Sequence, residues 1–150
     1  MLISDNAIRQ SWVALLCDKS ALEAVSKFKQ LAKQIELESG AKIIFVRSDN
    51  GTGEFGTMYQ EALLQEGIQF EPSPPYKHSL NGVIERAMGK INAVIRSLLY
   101  QAKLHHLMWD YAVKHAVWLK NRLLTSALPY GTYFDAVTPF QAYRRHKPDL

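Results

Sequence analysis

The feature that most constrains how this 150-residue chain can fold is the break at Pro72-Ser73-Pro74-Pro75, where the hydrophobic pattern changes period. Ahead of it, short β-leaning apolar runs alternate with helical stretches; behind it, helical periods dominate. Met1-Leu2-Ile3 reads as the end of an apolar strand closed by Ser4-Asp5-Asn6, and residues 11–17 form a second short run. Ser20-Ala21-Leu22-Glu23 reads as a capping box, with Ser20 as N-cap and Glu23 reaching back to its amide. Leu22, Val25, Phe28, Leu31, Ala32 and Ile35 then recur at helical spacing up to the stop at Gly40. Residues 42–47 have a continuous apolar centre, the pattern of a buried parallel strand. A helix over about 57–66 ends at Gly67, and residues 68–71 alternate like a short strand. After the break, helices are expected over about 81–102 and 107–124, with a last turn near 140–144. Strands alternating with helices and then helices alone make an α/β domain with a mixed sheet.

Composition excludes several classes of protein. At 150 residues there is room for one domain with a substantial core. No apolar run reaches the roughly 18 residues of a membrane span, and the start lacks a basic segment followed by an apolar one, so an intracellular protein with no membrane partner is expected. The single cysteine, Cys17, cannot pair within the chain or build a cysteine-rich zinc site. It follows the apolar run at 12–16, which suggests a buried thiol. The net charge is +4, unevenly spread. Residues 1–71 carry seven Lys and Arg against ten Asp and Glu, whereas residues 72–122 carry eight against only Glu85 and Asp110. That asymmetry suits a polyanion on the second half, or simply a solvated basic helix face.

Three carboxylates stand at positions where chemistry is possible. Asp49, in Arg47-Ser48-Asp49-Asn50-Gly51, follows a strand directly, where open α/β sheets hold ligands; alone, Asp-Asn-Gly is as easily a turn. Glu85 falls at the start of a helix, where the dipole favours a carboxylate with or without a function. Asp5 lies at a strand end, and by itself it reads as a turn residue. With 43 residues between Asp5 and Asp49 and 35 between Asp49 and Glu85, the three could converge on hard divalent cations, which take oxygen ligands. Two such ions can clamp the attacking and leaving oxygens of a phosphoryl displacement.

Arg47-Ser48-Asp49-Asn50-Gly51 with Glu54-Phe55 resembles the second-aspartate motif of copia-type long-terminal-repeat retrotransposon integrases. Ser73-Pro74-Pro75-Tyr76 through Asn81-Gly82-Val83-Ile84-Glu85-Arg86 resembles that family's glutamate motif, at its characteristic spacing. Asp5-Asn6-Ala7-Ile8-Arg9 with Trp12-Val13 resembles the first-aspartate motif, and Trp118 to Leu123, Thr138-Pro139-Phe140 and Lys147-Pro148-Asp149-Leu150 resemble the family's tail. The resemblance implies a ribonuclease-H-like mixed sheet with a shortened first central strand, followed by long C-terminal helices, over residues 1–146, with 147–150 starting a linker. It also implies a polynucleotidyl transferase that trims element DNA ends with water and joins their 3′-hydroxyls to target DNA. Asp5, Asp49 and Glu85 would be catalytic and would hold Mg²⁺ or Mn²⁺. Tyr76, Lys77 and His78 would lie beside the metals, and Arg86, Lys90 and Arg96 would meet nucleic-acid phosphates. DNA, with RNA as a further candidate, and other copies of the chain would be the partners, in the nucleus.

The sequence departs from the family pattern in places. Asn6 replaces the second residue of the usual Asp pair, and only four residues precede Asp5, which suggests a short strand and a marginally stable chain. Thr52-Gly53 lengthens the loop after Asp49, and Met88 and Gly89 replace the family's usual Asn and Arg. The adjacent His105-His106 suits a solvated turn better than a metal site. Trp109, Tyr111 and Trp118, with Val113, Ala116 and Val117, suggest a core or partner-packing face rather than base stacking. Two readings stand at this point: an integrase catalytic core, or a non-catalytic nucleic-acid-binding or oligomerisation module left after decay of the active site. Metal dependence separates them.

Overall fold

The computed structural model describes residues 1–48, 54–72, 82–128 and 136–145. Their order is β1 (Leu2–Ser4), β2 (Ser11–Val13), α1 (Ala21–Ser39), β3 (Phe45–Ser48), α2 (Glu54–Gln65), β4 (Gln69–Pro72), α3 (Gly82–Gln101), α4 (Trp109–Arg122) and α5 (Pro139–Arg144). The chain packs as two compact units, one of Met1 with residues 14–83 and one of residues 2–13 with 84–150.

In the first unit, α1 begins where its sequence says it should, because Ser20 Oγ accepts from the Glu23 amide at 3.2 Å. The other half of the expected capping box differs. Glu23 passes over the Ser20 amide and takes the amides of Cys17 (2.8 Å) and Asp18 (2.7 Å), while Asp18 Oδ1 takes the Ser20 amide at 2.6 Å. Those hydrogen bonds to Cys17 and Asp18 hold the Glu23 carboxyl below its ordinary pKa. They tie the preceding loop to the helix start, and Cys17, expected to be buried, is carried in that loop to the surface. At the other end Gly40, at φ 70°, donates to Glu36 O and stops the helix.

Phe28 and Ile35 of α1 are buried as expected, along with Ala24, but Leu22 is exposed because it lies off their face. Phe28 packs edge-on against Tyr59 of α2, with ring centroids 5.6 Å apart. Burial there pushes the Tyr59 hydroxyl up to about 12. Helix α2 ends in a Schellman motif: the amide of Ile68 reaches Leu63 O at 2.9 Å, and Gly67, at φ 72°, reaches Leu64 O at 3.0 Å. This turn delivers β4 parallel to β3, with Val46 opposite Phe70 and Arg47 opposite Glu71. Arg47 and Glu71 form an ion pair across the ladder at 2.8 Å, close to where exposed cross-strand pairs contribute tenths of a kcal/mol. The expected buried strand at 42–47 is corrected in two respects. It begins only at Phe45, and Ile44 and Phe45 are exposed, because no packed element among the described residues covers their side chains.

In the second unit, β1 and β2 form an antiparallel hairpin with Leu2 opposite Val13, Ile3 opposite Trp12 and Ser4 opposite Ser11. The expected run at 11–17 is thus a strand for three residues only. Helix α3 presents Ile91, Val94, Ile95 and Leu98 to Val113, Ala116 and Val117 of α4, and Leu2 and Val13 of the hairpin close the same cluster. Such side chains each contribute about 1.5–3 kcal/mol when fully buried, so this cluster is what fixes the hairpin to the helices. Trp12 meets Tyr143 of α5 edge-on, with centroids 5.2 Å apart. Along α4 the expected apolar face divides: Ala116 and Val117 are core, whereas Trp109, Tyr111 and Trp118 face outward. Among the described residues the strands form one antiparallel and one parallel pair in separate sheets, where a single mixed sheet was expected; each ladder is only three or four residues long.

Candidate active site

Asp5 stands at the turn of the β1–β2 hairpin and is fixed by it. Its amide donates to Gln10 O at 2.8 Å, its carbonyl accepts from the Arg9 amide at 3.1 Å, and its Oδ1 accepts from the amides of Ala7 (2.8 Å) and Ile8 (2.7 Å). The turn role that Asp5 suggested in isolation is therefore real, but it uses one oxygen. Among the described residues, Oδ2 takes no hydrogen bond. Arg9 closes the turn at φ 61°, an uncommon region for a residue with a side chain, and its Nη1 donates to Asn6 Oδ1 at 2.9 Å.

Two consecutive residues of α4 brace this turn from 110 residues away in the chain. The side-chain amide of Asn121 grips the backbone of Ser11, accepting from its N–H at 2.9 Å and donating to its C=O at 2.7 Å. Asn121 thus acts as a short stand-in strand on β2. Lys120 Nζ donates to Arg9 O at 2.6 Å. Ser11 Oγ donates to Ser4 Oγ at 3.0 Å, across the hairpin and one residue before Asp5. Sequence reasoning placed Lys120 and Asn121 in a motif without a role; the signal that could have found them is a polar pair at the end of an otherwise apolar helix face.

Glu85 lies in the first turn of α3, exposed, and engages in no hydrogen bond or ion pair among the described residues. It is two residues before the buried Ala87, so the helix turns it away from the core face. Arg86, Lys90 and Arg96 are likewise exposed on α3. Asp5 and Glu85 belong to the same unit. Asp49, directly after the last residue of β3, lies outside the described residues, as do Tyr76, Lys77 and His78.

Among the described residues no three His, Cys, Asp or Glu side chains are grouped so as to hold a metal ion, and Asp49 is not one of those residues. The two described carboxylates nevertheless suit a hard cation chemically. Both are oxygen donors, and each keeps oxygen lone pairs uncommitted. His105 and His106 are exposed in a single 3-10 turn, with His105 Nδ1 accepting from the Leu107 amide at 3.3 Å. No helix of the described residues is long and apolar enough to cross a membrane.

Comparison with solved structures defines the class. A chain of the simian T-cell lymphotropic virus intasome, in complex with the PP2A regulatory subunit B56 gamma, superposes with a TM-score of 0.71 at 20% identity, over 98% of this chain and 48% of that one. The HTLV-2 integrase catalytic core domain in complex with magnesium, in its trimeric form, matches with a TM-score of 0.68 at 20% identity, over 95% of this chain and 82% of that one. Its dimeric form matches with a TM-score of 0.66. The fold is that of a retroviral integrase catalytic core, ribonuclease-H-like and mixed α/β.

No family model matches the chain. Its sequence is 36% identical over 118 residues to the retrovirus-related Pol polyprotein from transposon TNT 1-94 of Nicotiana tabacum, and 35% identical over 136 residues to that from transposon RE1 of Arabidopsis thaliana. These alignments cover 79% and 90% of this chain but 9% of each polyprotein. Over most of its length the chain is therefore similar to a short stretch of copia-type retrotransposon Pol polyproteins, and that stretch has the fold of an integrase catalytic core.

Proposed function

We propose that the chain is the catalytic part of a polynucleotidyl transferase that joins retrotransposon DNA ends to target DNA. The observation that carries this reading is the pair Asp5 and Glu85: two carboxylates with uncommitted oxygens, at a hairpin turn and a helix start of one unit, in a fold otherwise seen in integrase cores. Asp49, after β3, completes the donor set in this reading. Together the three would hold Mg²⁺ or Mn²⁺, as hard oxygen ligands suit. When bound, such ions lower the cost of charge on the attacking and leaving oxygens of a phosphodiester.

The chain's own residues supply orientation. The amides of Ala7 and Ile8 hold Asp5 by one oxygen and leave the other to face a ligand, and the Asn121 clamp keeps the hairpin from sliding along α4. The start of α3 sets Glu85, exposed, in the first turn of the helix. Arg86, Lys90 and Arg96 on α3, with Tyr76, Lys77 and His78 ahead of it, would meet phosphates of element and target DNA without reading sequence. The partners in this reading are DNA and further copies of the chain, and the reaction sits in the nucleus, where target DNA is.

An oligonucleotide-joining assay with an element-end duplex tests this. Strand joining that needs Mg²⁺ or Mn²⁺ and falls at least about 100-fold in both Asp49→Asn and Glu85→Gln is expected, the order of loss when groups acting on a developing charge are removed. Joining that persists in chelator, or in either variant, contradicts it. DNA binding that persists in chelator with no joining in any metal would instead favour the decayed, non-catalytic module.

A further inference from the structure

From the convergence of Arg9, Lys90 and Lys120 we infer a phosphate-binding site on the flank of the α3–α4 contact, built from cations rather than from the proposed metal ligands. The three residues come from three different elements. Ile91 and Val94 of α3 pack with Ala116 and Val117 of α4, so Lys90, next to Ile91, and Lys120, one turn beyond Ala116, border the same contact. Lys120 Nζ bonds Arg9 O at 2.6 Å, which brings the hairpin turn into the same place.

These cations are close enough to disturb one another. Burial first, and then the charges of Lys90 and Arg9, push the Lys120 ammonium down to about 8. None of the three takes part in an ion pair among the described residues. Arg9 is bonded to the neutral Asn6 amide. The carboxylate in the turn, Asp5, has Oδ1 on the amides of Ala7 and Ile8. Gathering three cations that pair with no carboxylate among the described residues costs energy, and a bound oxyanion offsets it. A phosphate group fits: it is multiply charged and accepts from ammonium and guanidinium donors alike.

The phosphate can come from a nucleic-acid backbone or from free anion, and the site rests on the integrase reading only for the first source. The experiment titrates inorganic pyrophosphate, and separately a 15-bp duplex, into the full chain in chelator near neutral pH. Chelator removes any metal-dependent joining, so failure of the carboxylate centre leaves this result untouched. Pyrophosphate binding weakened at least 5-fold by Lys90→Gln, and unchanged by Lys33→Gln on the exposed face of α1, is expected. If the duplex uses the same site, the slope of its log affinity against log salt falls by about 0.9 for Lys90→Gln; an unchanged slope assigns the site to free anion. Lys120→Gln should behave as Lys90→Gln does; should it fail to fold, the exposed Lys90 decides alone. Absent pyrophosphate binding, binding indifferent to Lys90→Gln, or an equal loss in Lys33→Gln overturns the site.

Discussion

Single residues at the foot of α4 decide how the Asp5 turn is held, and each makes a distinct expectation. Asn121 and Ser11 are both buried, so Asn121→Ala would leave the Ser11 N–H and C=O without partners. Unmet buried groups cost about 1–3 kcal/mol apiece, which predicts a loss on the order of 3 kcal/mol in urea unfolding; a change within about 0.5 kcal/mol would show that the clamp contributes little. Lys120 makes a pH expectation. Its folded pKa, about 8, is below the ordinary 10.5, so between those values the unfolded chain holds more protons. Stability due to this group therefore rises with pH from about 8 to about 10.5 and is flat below. The difference in urea midpoint between the wild type and Lys120→Met should narrow from about pH 7.5 to 9.5 if the charged lysine is the costly form; parallel midpoints contradict it. Asp5, Glu85 and the helix residues around them could be singled out from the sequence because strand ends and helix starts leave local marks. The Asn121–Ser11 pairing could not, since nothing in either segment names a partner 110 residues off.

At the scale of elements, the helix ends show where the sequence agrees with its geometry and where it does not. Gly67 occupies the left-handed position that closes α2. The same motif closes α3, with the amide of Leu104 on Leu99 O (3.0 Å) and that of Lys103 on Tyr100 O (3.1 Å), but Lys103 is the residue at φ 52°. Conversely Gly89 lies inside α3, where an added Cβ would meet nothing within 4 Å. Lys103→Gly and Gly89→Ala should each stabilise the chain, the first by up to about 1 kcal/mol through relief of the left-handed backbone and the second by about 1 kcal/mol through helix propensity. Urea midpoints measure both, and a lower midpoint in either variant counts against that reading. Helix spans were legible because caps and a 3.6-residue period are local signals; α1 from Ala21 to Ser39 matches in both bounds. Burial was less so. The apolar run at 42–47 says strand, but which of its faces is covered depends on neighbours that the run does not encode, and Ile44 and Phe45 emerge exposed. On α4 the same holds: Ala116 and Val117 are core, while Trp109, Tyr111 and Trp118 are exposed, which removes only the core half of the core-or-partner-face reading.

For the whole molecule, the fold is recovered at 20% identity to the HTLV-2 integrase core, while 34–36% identity ties the sequence to plant transposon polyproteins. Fold and ancestry thus rest on different measures that agree. The proposed chemistry would need carboxylates from a hairpin turn, a strand end and a helix start to meet at one cation. Line broadening by Mn²⁺ in amide NMR spectra of the isotope-labelled chain tests that meeting directly, because the paramagnetic ion bleaches signals in its immediate surroundings. The expected result is simultaneous loss of the amide signals of Asp5, Asp49 and Glu85 at low Mn²⁺, restored together by Glu85→Gln. Broadening that reaches only one of the three, or that Glu85→Gln leaves in place, would contradict a shared metal centre.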